Sequence, residues 1–138
     1  MFLNPTENEI KNLLQEARTI AVVGLSDKPE RDSHMVAKYL QEKGYRIIPV
    51  NPKLDSVLGE KAYKKVSEIP DPIDIVNVFR RSIDTPPVVE DSLAKKPKAV
   101  WLQLGIQNDE AAKIAQDNKI TMIMNRCIKI DHAKLLGE

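Results

Sequence analysis

The sequence predicts an α/β protein: a single doubly wound, Rossmann-like parallel sheet of about five core strands with helices on both faces. Short apolar, β-branched runs recur along the chain as TIAVV, YRIIPV, DIVNVF, AVWLQL and ITMIM. They are too short for helices and too continuous for half-solvated strands, which is the pattern of strands buried on both faces. Segments with helical apolar spacing separate most of them, as crossover connections between parallel strands require. Several runs also stop at backbone breakers, Gly24, Asn51-Pro52 and Gly105.

Taken in order, residues 6–17 predict a helix that packs on the sheet. Thr6 and Glu9 have capping-box spacing, and Ile10, Leu13, Leu14 and Ala17 share one face. The first strand, 19–23, ends at Gly24. Asp32 or Ser33 is expected to cap the next helix, whose apolar stripe is Met35, Val36, Tyr39 and Leu40 and whose end is Gly44. Strand 45–50 closes at Asn51-Pro52. The stretch 54–72 is ragged, with turns at Gly59-Glu60 and Pro70-Asp71-Pro72 and a short edge strand expected over 58–63. Lys61, Lys64 and Lys65 are expected to form a solvated face.

Strand 73–79, interrupted by polar Asn77, delivers Phe79, Arg80 and Arg81 to its carboxyl end and should lie beside the first strand across the topological switch point. Asp84 or Thr85 followed by Pro86 starts a helix buried through Val89 and Leu93, which ends at Lys95-Lys96-Pro97. Strand 99–104, a helix capped by Asn108 and packed through Ala111, Ala112, Ile114 and Ala115, and strand 120–124 complete the core. The tail 128–138 is expected to add a short helix with His132 on its surface. The nine prolines are expected at element boundaries.

The 138 residues suit one domain, 1–138, with 1–18 as the N-terminal helical segment. Twenty-one Lys and Arg against 20 Asp and Glu give a net charge near zero, so no global field recruits nucleic acid or an anionic membrane, and an anion site must be local. One cysteine excludes an internal disulfide and, with no apolar span or signal-peptide core, leads to an expected cytoplasmic location. Two histidines and one cysteine show no metal-ligand spacing, and no Ser-His-Asp order or carboxylate pair has a stated reason to meet. A binding module without catalytic residues is therefore expected. Whether the chain pairs with a protein partner or with itself is left open.

In an open parallel sheet the ligand sits beyond the carboxyl ends of the strands, which places residues 24–31 and 51–53 on one crevice. Gly24 allows backbone to approach a phosphate, with its replacement by valine expected to abolish ligand binding and to cost the fold modestly unless the position needs positive φ. Ser26 and Ser33 offer hydroxyls, Lys28 and Arg31 offer charge, and the helix that follows offers its N-terminus. The loop GLSDKPER lacks the second and third glycines of G-x-G-x-x-G, and Asn51-Pro52-Lys53 replaces the acid that would hold a ribose diol. A lysine there suits a ribose phosphate, so the crevice reads as a site for a phosphorylated adenosine.

The blocks GLS-x-x-P-x-R-x-S, GYRIIPVNPK, DIVNVFRR, AVWLQLGI and MNRCIKIDH, in that order from about residue 19 to 132, resemble the small stand-alone bacterial CoA-binding proteins. These in turn are similar to the nucleotide-binding domain of the succinyl-CoA synthetase α subunit. Asn125 departs from the family's pattern, which has aspartate before Arg-Cys. The resemblance implies CoA or acyl-CoA as ligand. With that ligand at the carboxyl edge, contacts are expected from Gly24, Ser26, Arg31, Ser33, Asn51, Pro52, Lys53, Phe79, Arg80, Gln103 and Arg126, with Arg80 where the pyrophosphate passes and Gln103 near the pantetheine arm.

Trp101 is expected in the core with its N–H satisfied. Cys127 reads either as an inert buried hydrophobe or as a thiol activated by Arg126 and able to join the thiol of CoA in a mixed disulfide. His34 lies inside the first post-loop helix and matches no phosphohistidine motif. Two alternatives remain beside the binding module, an NADP-binding reductase and a redox protein working through Cys127.

Overall fold

The structure, a computed structural model, describes residues 2–137; Met1 and Glu138, the two ends of the expected domain and tail, lie outside the described residues. Helix α1 (Glu7–Glu16) leads into β1 (Thr19–Val23), α2 (Asp32–Glu42) and β2 (Arg46–Val50). A two-residue hairpin of β3 (Ser56–Val57) and β4 (Glu60–Lys61) precedes β5 (Ile75–Val78) and α3 (Thr85–Ser92). The chain ends with β6 (Ala99–Leu102), α4 (Asp109–Asp117), β7 (Thr121–Ile123) and α5 (Ile128–Leu135).

The five long strands form one parallel sheet in the order β2-β1-β5-β6-β7, so the chain reverses direction across the sheet between β1 and β5. This is the expected doubly wound fold. Alternate residues of each strand serve opposite faces. Ala21, Val76, Val100 and Met122 pack with Val89 of α3 and the alanines Ala111, Ala112 and Ala115 of α4. Ile20, Ile75, Trp101 and Ile123 pack on the other face with Ile10 and Leu14 of α1, Val36 and Leu40 of α2 and Ile128 of α5. The capping box of Thr6 and Glu9 forms as expected, and Asn108 caps α4 by accepting the Ala111 N–H at 2.9 Å.

Several expectations are corrected. The strands end one or two residues early: Phe79 and Leu104 fall outside them, and Leu104 is 60 % exposed. Residues 58–63 do not add an edge strand as a unit; β3 and β4 pair with each other, and Tyr63 alone bridges to Val50. Pro49 lies inside β2 instead of at a boundary. It is tolerated because β2 is an edge and the polar backbone of Pro49 faces away from β1, where its carbonyl accepts the Tyr63 N–H at 3.0 Å. The N-cap of α2 is Arg31, without a side-chain bond, and not Asp32 or Ser33. Met35 leaves the apolar stripe, being 44 % exposed, while Ala37 takes a buried place beside Val36.

His132 is buried and not on the surface, for a tertiary reason. Its ring meets Tyr39 and Tyr45 edge-on, with centroids 5.4 and 5.6 Å away, and its Nδ1 is hydrogen-bonded to the Tyr39 hydroxyl at 2.9 Å. The Tyr45 hydroxyl donates to the Leu14 carbonyl. These contacts fasten α5 to α2 and α1, and an exposed Lys134–Glu7 ion pair lies along the same seam. No helix among the described residues is long and apolar enough to cross a membrane.

Burial, with the nearby Lys43 charge adding to it, holds His132 below its ordinary value near 6.5. The fold therefore favours the neutral ring. The unfolded chain takes up a proton below about pH 6.5 that the folded chain resists, so stability is full above that pH and falls as pH drops toward the folded value. Urea unfolding at about pH 7.5 and 5.5 should show wild type losing stability with acidification by more than His132→Phe does. Equal pH slopes for the two proteins would show that His132 contributes nothing to the dependence.

Candidate functional site

The carboxyl edge of the sheet is built around Gly24. Its φ of +87° lies in the left-handed region, and a Cβ at this position would overlap the carbonyl oxygen of Phe79 and stand 2.6 Å from Nη1 of Arg80. The crowding has a direct cause. The Phe79 N–H donates to the Val23 carbonyl at 2.8 Å and the Gly24 N–H to the Val50 carbonyl at 2.8 Å, so three strands finish against this one residue. The expectation that a side chain at Gly24 would cost the fold only modestly is corrected: the fold itself needs the glycine, before any ligand does.

From Gly24 the loop runs to α2 braced by its own polar groups. The Ser26 N–H donates to Oγ of Ser33 at 3.0 Å, the Lys28 N–H to Oγ of Ser26 at 3.1 Å, and Nδ1 of His34 pairs with the Ser26 carbonyl at 2.9 Å. Ser33 thus serves the loop and not its own helix. Asn51 holds the loop from behind, its Nδ2 donating to the Leu25 carbonyl at 3.0 Å and its Oδ1 accepting the Lys53 N–H at 2.9 Å. Pro52 and Lys53 are exposed at the end of β2.

Three cavities meet this edge. One of about 500 Å³ is lined by Gly24, Ser26, Lys28, Arg31 and Ser33, with Glu30 and Asp32. Between Gly24 and Ser33 the loop carries Asp27, Glu30 and Asp32 against Lys28 and Arg31, three negative side chains to two positive, so its own charge does not favour an anion. The favourable terms are the N-terminus of α2 and Arg80, which reaches Gly24 from β5. Arg80 also borders a second cavity of about 290 Å³ together with Lys64 and Lys65. Those two lysines, read from the sequence as a solvated face, are exposed but stand beside a cationic partner that only the folded chain supplies.

A third cavity, about 400 Å³, shares Asp32 with the first and is lined by Met35, Phe79, Gln103, Leu104, Ile106, Cys127 and Ile130 among others. Gln103 is buried at its base. Its Oε1 accepts the Ile128 N–H at 3.3 Å and Nδ2 of Asn77 at 3.2 Å. Asn77 is fully buried, and its Oδ1 has no partner among the described residues. Cys127 is a half-buried free thiol at the N-cap of α5.

The expected site residues therefore separate into groups. Gly24, Ser26, Arg31 and Ser33 share the loop cavity, Arg80 abuts Gly24, Asn51 supports the loop, and Phe79 and Gln103 face the adjoining cavity. Arg126 stands apart. Its guanidinium is held by Asp131 in a bidentate pair of 2.6 and 2.8 Å, which raises it above its ordinary value, and its carbonyl accepts the Trp101 indole N–H at 2.8 Å. Trp101 is a satisfied core residue as expected. Asn125, where the resembling family has aspartate, adopts φ +59° and accepts the Gly105 N–H at 2.7 Å, a turn role that asparagine fills well. Residues that sequence reasoning did not single out are Met35 as a cavity wall, Leu104, Ile106 and Ile130. Met35, Leu104 and Ile130 lie inside the elements expected from the sequence and Ile106 just past one, so apolar character alone did not mark them as wall residues.

Comparison with known proteins follows the same geometry. The family of CoA binding domains matches residues 18–133. The uncharacterized protein YneT of Bacillus subtilis is 52 % identical over 130 residues, which cover 94 % of this chain and 96 % of YneT. An ADP-forming acetate–CoA ligase of Methanocaldococcus jannaschii is 31 % identical over 110 residues, 79 % of this chain but 15 % of the ligase. Among solved structures, a hypothetical protein from Pyrococcus horikoshii superposes with a TM-score of 0.94 at 41 % identity, covering 99 % of both chains.

Gly24→Ala is expected to destabilise the protein by roughly 2–5 kcal/mol, combining about 1–2 for the left-handed backbone with about 1–3 for overpacking against Phe79. Urea denaturation without ligand reads this. Wild-type stability in the variant would show that the three strand ends have room to part.

Proposed function

The chain belongs to the CoA binding domain family, and from that premise we propose that it binds coenzyme A or an acyl-CoA along the carboxyl edge of the sheet. It acts as a carrier, sensor or enzyme partner in the cytoplasm, without catalytic residues of its own. One observation carries the reading: the loop cavity at Gly24 is bordered by the first residues of α2, and the guanidinium of Arg80 stands against Gly24, where the paired strands β1 and β5 end. A pyrophosphate there receives unpaired N–H groups, a helix dipole and one planar cation. Arg31 adds charge at the rim, and the Ser26 and Ser33 hydroxyls remain close enough to contribute while they brace the loop.

Lys53 follows Asn51-Pro52, at the place where this fold reads the adenosine ribose, and takes the 3′-phosphate that distinguishes CoA. The pantetheine arm then runs past Phe79 toward Gln103. Arg126 is left out of the ligand set because Asp131 already holds its Nε and Nη2 in a bidentate pair. The ligase relative supports the ligand class and not its reaction, since this chain matches only 15 % of its length.

CoA at about a hundred times its Kd should stabilise the protein by about 2.7 kcal/mol and raise its melting temperature by several degrees. A shift with NADPH and none with CoA would move the reading to a reductase.

Wild type should also prefer CoA to 3′-dephospho-CoA by about 1.5–3 kcal/mol, one to two decades in Kd, and Lys53→Ala should bind the two almost equally. Calorimetric titration of both ligands into both proteins decides this. A preference that survives in Lys53→Ala shows that the exposed lysine does not read the phosphate.

A further inference from the structure

Among the described residues five large hydrophobic side chains are exposed, and three of them, Met35 (44 %), Leu104 (60 %) and Ile130 (58 %), line the single cavity between α2 and α5. They come from three separate segments, so no one amphipathic stripe explains them. Val36, Phe79 and Ile106 join them in a mostly apolar wall around about 400 Å³, a volume within the range of small-molecule sites, with the opposite charges of Asp32 and Lys129 also in the lining and the Lys129 ammonium lying over the Tyr39 ring.

The base of this cavity is polar at one point. The Ile128 N–H fixes the carbonyl end of Gln103, and Asn77 donates to the same oxygen. The amide nitrogen of Gln103 is therefore turned the other way and has no protein partner among the described residues. A hydrogen-bond donor at the base of an apolar wall suits a ligand with one carbonyl and a hydrocarbon tail. The cavity also adjoins the loop cavity, both being bordered by Asp32. A ligand with its phosphates at Gly24 can extend into this cavity past Asp32.

We propose that this cavity is an acyl subsite: the Gln103 amide donates to the carbonyl of an acyl thioester, and Met35, Leu104 and Ile130 cover a hydrocarbon chain of several carbons. The inference rests on the CoA reading above and adds the class of acyl group, an unbranched apolar chain and not a charged or very short one.

The test is a titration of CoA, acetyl-CoA, butyryl-CoA, hexanoyl-CoA and succinyl-CoA into the full-length protein under reducing conditions, repeated with Cys127→Ser to remove any thiol capture. Affinity should rise about fourfold per buried methylene from acetyl to hexanoyl, and succinyl-CoA should fall below butyryl-CoA. Leu104→Ser and Ile130→Ser, both at exposed positions, should keep the wild-type Kd for CoA and flatten the chain-length series. An affinity independent of chain length, with CoA itself still bound, overturns the acyl subsite and leaves the CoA reading standing. Failure of CoA and every thioester to bind overturns both. If the series is flat and wild type forms a dimer that Leu104→Ser dissociates, the apolar rim belongs to a second copy of the chain, and the proposal is wrong.

Discussion

The close approach of Gly24 to the Phe79 carbonyl is the constraint on which the functional edge depends. Strands β1, β2 and β5 finish at the same level because their last hydrogen bonds converge there, and only a residue without Cβ fits where they do. That convergence sends the loop outward, fixes the start of α2 over the crevice and brings Arg80 to the loop from a strand more than fifty residues away. The crevice is thus formed by the fold before a ligand arrives. Asn51 and Ser33 then hold the loop in place with side-chain bonds that a longer, glycine-rich loop would lack.

The electrostatics of this edge are assembled and not local. The loop is slightly acidic in itself, and the cations that offset it sit on other elements: Arg80 after β5, Lys53 after β2, Lys64 and Lys65 after the hairpin. Four charges contributed from separate segments give a positive edge on a chain whose net charge is only +1. Such a field is short-ranged at physiological salt, falling over about 8 Å, so it acts on a docked ligand more than on one approaching from a distance.

Much of the fold was legible because it rests on local rules. The buried runs named all five core strands, the Thr6–Glu9 spacing named the first cap, and Asn108 named another. What escaped depends on partners that only the folded chain brings together. His132 is buried only because Tyr39 and Tyr45 from other elements close around it, and Arg126 is committed only because α5 brings Asp131 back over the end of β7. Ser33 was legible as a polar residue at a helix start, but its acceptor role toward Ser26 follows from how the loop folds back. The exposed places of Met35 and Leu104 contradicted an apolar pattern that gives no sign of where a helix stripe or a strand stops. The residues grouped at Gly24 were found from sequence because strand ends and phosphate loops coincide in this architecture; the apolar cavity beside them was missed because it is made from the leftovers of three elements.

The seam between α1 and α5 has a further consequence. Asn4 exchanges two hydrogen bonds with the backbone of Met124, and Glu7 meets Lys134, so the first and last helices lie side by side on one face. A domain whose entry and exit adjoin can be spliced into another chain without parting its core, or closed by a short linker and reopened elsewhere. The hairpin turn at Gly59, exposed and with open space where a side chain would stand, is a suitable place for the new ends. A cut at that turn falls outside the five-stranded sheet, the Gly24 loop and the linings of both cavities flanking α2, which makes this fold a portable cassette.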